Sequence, residues 1–281
     1  MTGGGGISEA GSFIAARLRG RQGPLRLLAS FENHAYLHLE DPALTLILSR
    51  APGPAGPLDV KPPVWAEWET LLSHAPARLR PDGRLHLGSL TLDLSPGAMR
   101  LRDTALTVDS LPAPDPLLRG AAGIAHASDL LASVLSAPAA PRVAGIALDP
   151  LALGLVQDDP VALRQGAERL VGLGRGLTPA GDDFLAGLLI AMAAAGSSDD
   201  SRKAILDAAT GATTTLSLAF LAAAAAGHVT ADWQALLRLP ADASKADRAH
   251  HLARVMAPGH SSGADTLAGF LWAASRLQPA P

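Results

Sequence analysis

Residues 172–187 read Gly-Leu-Gly-Arg-Gly-Leu-Thr-Pro-Ala-Gly-Asp-Asp-Phe-Leu-Ala-Gly, and this stretch organises the second half of the chain. Glycine lets the backbone adopt a positive φ and approach a ligand closely. Thr178 and Pro179 predict a helix start, with Thr178 as the N-cap and Pro179 at the first helical position. The first turn then carries Asp182 and Asp183 beside free backbone N–H groups. Such a site can hold an anion on its N–H groups and a cation or protonated group on its carboxylates.

A second, weaker copy of this pattern lies near the C-terminus. Residues 263–271 read Gly-Ala-Asp-Thr-Leu-Ala-Gly-Phe-Leu and repeat six positions of residues 181–189 at a constant offset of 82. We hypothesise that the two helix starts face each other across one site. The alternative is that the repeat is only a device for entering and packing helices, in which aspartate favours the positive end of the helix dipole.

The two adjacent acids are expected to divide their roles. Neighbouring helical side chains point about 100° apart, so Asp182 and Asp183 do not both point at one ion. We expect one to reach the ligand and the other to cap backbone N–H groups. Asp183 is the candidate for chemistry, because only it has an acidic counterpart in the second copy, Asp265.

Polar residues beside these two helix starts complete the candidate site. His260 precedes two serines and can bind an anion or act as an acid–base group near neutral pH. Arg175 either clamps a phosphate or carboxylate in bidentate fashion or faces solvent. Residues 213–215 and Ser217 either line a pocket or cap a helix. The candidate catalytic residues are Asp183, His260 and Asp265. The candidate ligand-binding residues are Gly174, Arg175, Gly176, Thr178, Gly181, Asp182, Ser261, Ser262 and Gly263.

Several familiar sites do not fit this sequence. The glycine loop lacks the Gly-Lys-Ser/Thr of a P-loop, and its glycine spacing differs from a dinucleotide fingerprint. Cysteine is absent, which excludes disulfides, thiolate metal sites and a cysteine nucleophile. The histidines lack the spacing of a zinc site, so no metal-ligating residues are assigned. No cofactor is assigned, and magnesium is the candidate considered, since acids supply oxygen ligands.

Composition favours a soluble protein of the cytoplasm. Of the 281 residues, 48% are hydrophobic and 17% are charged, enough for a sizeable core. The net charge of −3 does not point to nucleic acid. The N-terminal residues lack the basic and apolar regions of a signal peptide. The apolar run 184–195 is too short to cross a bilayer.

The chain changes character near residue 115, which predicts an α+β fold with a β-rich domain over 1–115 and a mainly α-helical domain over 116–281. Turn residues separate short apolar runs before this point, and residues 111–116, with three prolines, form the predicted connector. The predicted strands are 25–31, 35–39 and 44–48, with a hairpin of 85–87 and 90–94 and a short helix over 62–73. The predicted helices are 124–136, 150–171, 178–195, 202–210, 214–226, 231–238, 243–256 and 263–276. The pair Asp158-Asp159, followed by proline, is interpreted as a turn and helix cap.

The motif of residues 173–187 resembles a bacterial family of unknown function that includes one subunit of oxamate carbamoyltransferase, an enzyme of anaerobic allantoin breakdown. Residues 259–265 are similar to a second motif of that family, and residues 215–227 to a third region. The resemblance covers the helical half well and the N-terminal half loosely. It implies transfer of a carbamoyl group between carbamoyl phosphate and oxamate, in a complex of three different subunits.

Three functional hypotheses follow. The first is a subunit of a carbamoyltransferase, acting on carbamoyl phosphate and a small carboxylate or amide such as oxamate. The second is a magnesium-dependent enzyme that acts on a phosphate-containing small molecule through Asp182, Asp183 and Asp265. The third is a ligand-binding or scaffold subunit whose catalytic groups lie on a partner. The expected partners are a small anionic substrate and other subunits or further copies of the chain, without nucleic acid or membrane.

Overall fold

The computed structural model confirms the α+β prediction, with strands in the N-terminal half and helices mostly in the C-terminal half. The residues it describes are 8–62, 77–88, 90–107, 112, 116–117, 120–121, 128–136, 142–143 and 146–277. The chain divides into two compact units, Met1–Ala105 and Leu106–Pro281. The predicted connector lies largely outside the described residues.

In its described part, the first unit is a nine-stranded, mainly antiparallel sheet with one helix. Its elements are β1 (Ser8–Gly11), α1 (Ser12–Leu18), β2 (Gly23–Ser30), β3 (His34–Leu39), β4 (Leu44–Ser49), β5 (Asp59–Lys61), β6 (Ala77–Leu79), β7 (Arg84–Leu87), β8 (Leu90–Asp93) and β9 (Met99–Arg102). The strand order is β8-β7-β6-β2-β3-β4-β5-β1-β9, and the pairs β4–β5 and β1–β9 are parallel.

Alternation along the strands places the core of this unit on one face of the sheet. Leu37 and Leu39 of β3 and Leu46 and Leu48 of β4 are fully buried, and Ile14 of α1 joins the same cluster. Side chains two residues apart on a strand share a face, so these leucines form one apolar surface that α1 helps to cover.

The sequence predicted the middle of this sheet correctly. The three predicted strands correspond to β2, β3 and β4, and the predicted hairpin is the antiparallel pair β7–β8. The helix predicted over 62–73 lies almost entirely outside the described residues. Strands β1, β5, β6 and β9 and helix α1 were not predicted. Most of these elements have four residues or fewer, too short for periodicity to reveal them.

The second unit is helical and carries one two-stranded ribbon in its described part. Its elements are α2 (Asp129–Ser136), β10 (Arg142–Val143), β11 (Ile146–Ala147), α3 (Asp149–Gln157), α4 (Pro160–Ala167), α5 (Ala180–Ala195), α6 (Asp199–Ala209), α7 (Thr215–Ala225), α8 (Ala231–Leu237), α9 (Lys245–Met256) and α10 (Ser262–Leu277). None of the helices described combines the length and the apolar character that crossing a membrane requires.

The single helix predicted over 150–171 is wrong, because the chain turns in its middle. Asp158 adopts a left-handed conformation with φ of 51°, which ends α3. The Asp159 carboxylate then accepts the Val161 N–H at 2.9 Å, and Pro160 opens α4. Proline fits the first helical position but not a helix interior. The interpretation of Asp158-Asp159 as a turn and helix cap is therefore confirmed.

Helices α5 and α10 form the centre of the second unit and reproduce the internal repeat. Each has sixteen residues, and both their first and their last residues are 82 positions apart. A Cβ atom on Gly187 would lie 1.8 Å from the Thr266 carbonyl oxygen, and one on Gly269 would lie 1.8 Å from the Phe184 carbonyl oxygen. These two contacts are equivalent under the offset, so the same close approach is made twice.

Replacing Gly187 or Gly269 by alanine is expected to destabilise the protein by about 1–2 kcal/mol net. The new Cβ would overlap a backbone oxygen and force the helices apart, and overpacking of a tight core costs about 1–3 kcal/mol or more. Alanine has the higher helix propensity by about 1 kcal/mol, so the two effects have opposite signs. Denaturant unfolding of Gly187→Ala and Gly269→Ala measures the net effect. A gain in stability would show that the two helices separate freely.

Candidate functional site

Helices α5 and α10 run parallel and begin side by side. The hydroxyl of Thr178, two residues before α5, shares a hydrogen bond of 2.9 Å with the hydroxyl of Ser262, the first residue of α10. The positive ends of both helix dipoles therefore lie at the same place. The predicted juxtaposition of the two helix starts is present in the structure.

Two further helices begin at this cluster. Ser128 precedes α2, accepts the Leu131 N–H at 3.0 Å and hydrogen-bonds the Asp265 carboxyl group. Thr214 is the N-cap of α7 and donates its hydroxyl to the Leu177 carbonyl oxygen at 2.6 Å. Four helix N-termini thus meet at this cluster: α7 contacts the loop, and α2 contacts Asp265. The positive ends of their helix dipoles favour a negative charge there.

The loop between α4 and α5, residues 172–177, is exposed along its whole length. Gly174 and Gly176 have φ values of 114° and 102°, which L side chains rarely adopt. Within the part of the chain that the structure describes, nothing accepts a hydrogen bond from the backbone N–H groups of residues 174–178. A run of unpaired N–H groups in a turn-rich loop can bind an anion.

The predicted N-cap of α5 is wrong by one residue. The helix begins at Ala180 with Pro179 as its N-cap, and the Thr178 side chain does not cap it. The Thr178 hydroxyl is directed to Ser262 and Asp183 instead. Tertiary contacts between the two helix starts have replaced the local cap.

Asp182 holds the loop in place. Its Oδ1 accepts the Gly172 N–H at 2.8 Å, and its Oδ2 accepts the hydroxyl of Thr213. The side chain is buried, with both carboxylate oxygens engaged by the protein. This is the capping role that was expected of one acid of the pair, and direct ligand binding by Asp182 stays a prediction.

Asp183 lies between the two helix starts. Burial raises the pKa of Asp183 to about 8; hydrogen bonding to Ser262 opposes the rise, and the nearby Asp265 adds to it. Asp183 is 9% exposed. At neutral pH it is therefore mostly a neutral acid, able to donate one hydrogen bond and accept others.

Asp265 occupies the equivalent position on α10. Burial raises the pKa of this carboxyl group, hydrogen bonds to Ser128 and Ser261 lower it, and Asp129 raises it. The backbone N–H of Asp265 donates to the Ser261 carbonyl oxygen at 2.9 Å. Ser261 and Ser262 thus each contact one of the two acids, Asp265 and Asp183 respectively.

Two of the remaining candidate side chains, Arg175 and His260, are exposed to solvent. Neither forms a hydrogen bond or an ion pair with another described residue. Both are therefore free to meet a ligand or a second protein. Their assigned roles stay predictions.

The glycines that open the two helices serve packing. A Cβ atom on Gly181 would lie 2.0 Å from the Leu170 carbonyl oxygen, and one on Gly263 would lie 2.6 Å from the Val255 carbonyl oxygen. The Gly181 N–H already donates to Leu173 at 2.9 Å. These glycines let the helix starts approach the preceding segments, and their part in ligand binding stays a prediction.

Sequence reasoning missed Ser128 and left Thr213 undecided. Ser128 followed by Asp129 and two leucines is an N-cap signature, but nothing in the sequence links it to an acid 137 positions later. Thr213 stood among three threonines that either cap a helix or line a pocket. In the structure Thr214 is the cap, and Thr213 donates to Asp182.

Two open cavities lie away from this cluster. One of about 570 Å³ is a groove between α4 and α6, lined by charged groups that include Arg164 and Lys203. The other, of about 380 Å³, lies near residues 78–81 of the first unit. Neither cavity is lined by the glycine loop or by Asp182, Asp183 or Asp265. Cavity size alone therefore does not identify the candidate site.

The described residues contain no group of three or more His, Cys, Asp or Glu placed to hold a metal ion. The magnesium hypothesis relied on Asp182, Asp183 and Asp265 together. Because both oxygens of Asp182 accept hydrogen bonds from the loop and from Thr213, that set of three ligands is not assembled.

Comparison with protein families matches part of the second unit. Residues 170–274 match the family model of the oxamate carbamoyltransferase subunit AllH. This match spans 105 of the 281 residues and confirms the resemblance seen in the motif of residues 173–187. It runs from Leu170, which packs against Gly181, into the last turns of α10. No curated protein and no solved structure matches the chain.

The raised pKa of Asp183 predicts a distinct pH dependence of stability. Asp183 keeps its proton in the folded state up to about pH 8. Its contribution to the free energy of unfolding is therefore at its full value below about pH 4. That contribution is lost as the pH rises from about 4 to 8, because only the unfolded chain ionises there. The stability of the wild type relative to Asp183→Asn should therefore fall across this range, by up to about 1.4 kcal/mol per pH unit, and level off above pH 8.

Urea unfolding at pH 4, 6, 8 and 9 measures this difference. Asp200→Asn, which removes one exposed acid from the first turn of α6, is the control for loss of a negative charge. A constant difference between wild type and Asp183→Asn across the range would contradict the raised pKa.

Proposed function

We propose that this chain is a subunit of a carbamoyltransferase that acts on carbamoyl phosphate and a small carboxylate or amide such as oxamate. The observation that carries the proposal is the convergence of four helix N-termini on a glycine loop and two buried acids. The loop, both acids and three of these helix starts lie within the residues matched by the carbamoyltransferase subunit family. Only Ser128 and α2 precede the match.

The phosphate group would bind at the exposed loop. The unpaired N–H groups of residues 174–178 and the positive ends of α5 and α10 suit a phosphate that keeps much of its charge. Arg175 is exposed in the same loop and has no partner among the described residues. Its guanidinium group can hold two phosphate oxygens at once.

The two buried acids would bind the carbamoyl group. A neutral Asp183 adds no charge beside the bound phosphate and still offers one donor and several acceptors. A carbamoyl group presents two N–H donors and one carbonyl acceptor, which a neutral acid can meet. In this proposal Asp183 and Asp265 hold the carbamoyl NH₂ or orient His260.

The transfer needs one bond to form and one to break. The amide nitrogen of the acceptor attacks the carbamoyl carbon, the bond from that carbon to the phosphate oxygen breaks, and phosphate leaves. The nitrogen gives up one proton, which His260 would accept as general base. The N–H groups of the loop would stabilise the negative charge that develops on oxygen.

The exposure of the loop favours a site that is completed by a second chain. Residues 172–177 face solvent, and Leu173 and Leu177 are 43% and 39% exposed. An acyl phosphate must be kept from water during transfer. A partner subunit that covers the loop would exclude water, which is consistent with the match to a family of enzyme subunits.

The same exposure supports a second candidate function, in which this chain binds ligand while a partner supplies the catalytic groups. Turnover by a purified monomer would exclude it. The magnesium-dependent alternative has lost its three-carboxylate ligand set, and activity that persists in the presence of a chelator would argue against it.

Carbamoyl phosphate should bind the purified chain in a saturable way, and Asp183→Ala should weaken that binding at least about tenfold. The alanine leaves the hydroxyls of Ser262 and Thr178 without their shared partner, and loss of a buried hydrogen bond of this kind is worth about 1–3 kcal/mol. Titration calorimetry with and without Mg²⁺ measures the affinity, and Asp200→Asn is the matched control. If the folded wild type does not bind carbamoyl phosphate, the proposed ligand is contradicted.

The affinity of the wild type should also fall as the pH rises through about 8, because ionised Asp183 repels the anion. Asp183→Asn stays neutral and should lose this dependence.

In the assembled enzyme, Asp183→Asn should lower turnover at least about tenfold, a loss of roughly 1.4 kcal/mol of transition-state stabilisation. Unchanged turnover by a folded variant would remove Asp183 from the chemistry.

A further inference from the structure

The start of α7 holds the glycine loop at both of its ends. At the first end, the Thr213 hydroxyl donates to Asp182, whose other oxygen accepts the Gly172 N–H at 2.8 Å. At the second end, the hydroxyls of Thr214 and Ser217 donate to the Leu177 carbonyl oxygen at 2.6 and 3.5 Å. We call these three hydroxyl-bearing residues the hydroxyl clamp.

The loop has few other restraints between these ends. The carbonyl oxygen of Leu173 accepts the Gly181 N–H at 2.9 Å, but residues 174–176 form no hydrogen bond within the described part of the chain. Gly174 and Gly176 have backbone conformations open to glycine but rarely to other residues. A glycine-rich segment loses much conformational entropy when it is fixed, so its shape depends on what holds its ends.

We propose that Thr213, Thr214 and Ser217 are positioning residues, which set the conformation of the glycine loop and through it the affinity for the anion. This inference rests on the proposed function for the anion, whereas the effect on the loop does not depend on it. None of the three residues needs to touch the ligand.

Helix capping alone does not explain the clamp. Thr214 accepts the Ser217 N–H at 3.0 Å as an ordinary N-cap does, and its hydroxyl donates to the loop in addition. Thr230 is the N-cap of α8 and accepts the Trp233 N–H, with no described bond to a loop. Thr230→Ala is therefore a matched control that removes a cap and leaves the loop untouched.

Thr213 acts through a buried carboxylate. Asp182 is 2% exposed, and a buried carboxylate oxygen that loses its donor must find another. Thr213→Val keeps the shape of the side chain and removes the hydroxyl, so we expect Asp182 to release Gly172. Thr213→Ser retains the hydroxyl. Thr210→Val, which loses a hydroxyl bonded to the Leu206 carbonyl oxygen at the end of α6, is the matched control.

Tryptic cleavage after Arg175 measures the conformation of the loop directly, because Arg175 is exposed in its middle. Cleavage requires the loop to leave its fixed conformation, and the rate follows the population of the open form. Thr213→Val and Thr214→Ala should raise the rate at Arg175 about tenfold. Cleavage after Arg248, inside α9, should stay at the wild-type rate and so reports on unfolding of the whole unit.

The controls Thr210→Val and Thr230→Ala, and the rescue variant Thr213→Ser, should be cleaved at Arg175 as slowly as the wild type. Wild-type rates in both Thr213→Val and Thr214→Ala would overturn the proposal. If Thr214→Ala is cleaved faster at Arg248 as well, the whole unit unfolds more readily in that variant. The cleavage rates of Thr213→Val and Thr213→Ser at Arg175 then decide whether the hydroxyls hold the loop.

Calorimetric titration with carbamoyl phosphate supplies the second readout. The variants that open the loop should bind at least about tenfold more weakly, with Thr213→Ser restoring the affinity. Faster cleavage with unchanged affinity would overturn the link between the loop and the anion. A wild type that binds no carbamoyl phosphate would reject the proposed ligand, while the protease comparison would still decide whether the hydroxyls hold the loop.

Discussion

The close approach of α5 and α10 is the constraint on which the second unit depends. Two carbonyl oxygens, of Phe184 and Thr266, occupy space that any side chain on Gly269 or Gly187 would need. Because the helices are parallel at this distance, their first turns lie side by side. Asp183 and Asp265 are thereby brought into one electrostatic environment, and burial by the paired helices raises the pKa of both. A packing requirement in the second turn therefore fixes the chemistry of the first.

Adjacent acids in the first turn of α5 have different tasks because a helix directs them apart. Asp182 faces back to the loop and α7, where it meets Gly172 and Thr213. Asp183 faces α10, where it meets Ser262. The first acid keeps the loop in shape, and the second gives the cluster a group that is largely protonated at neutral pH. Arg175 and His260 remain exposed at the surface of the same cluster.

Periodicity and the repeat predicted much of this arrangement. The α+β class, the central strands and the positions of α5 and α10 follow from local patterns, and the constant offset of 82 indicated that Asp183 and Asp265 are equivalent. What failed depends on tertiary contacts. Thr178 has the sequence of an N-cap, yet its hydroxyl goes to Ser262. Ser128 and Thr213 reach the acids only through folding, and no local pattern records those distances.

The internal repeat separates what holds the helix pair together from what surrounds its positive end. The glycines of the crossing recur in both copies, whereas the segments that lead into the helices differ: a glycine loop before α5, and a short polar turn with His260 before α10. Neither leading segment supplies the carbonyl oxygens that meet Gly187 and Gly269 at the crossing. In the proposed function, Arg175 and His260 both belong to these leading segments, so the groups that would meet the ligand are separate from the glycines that hold the two helices together.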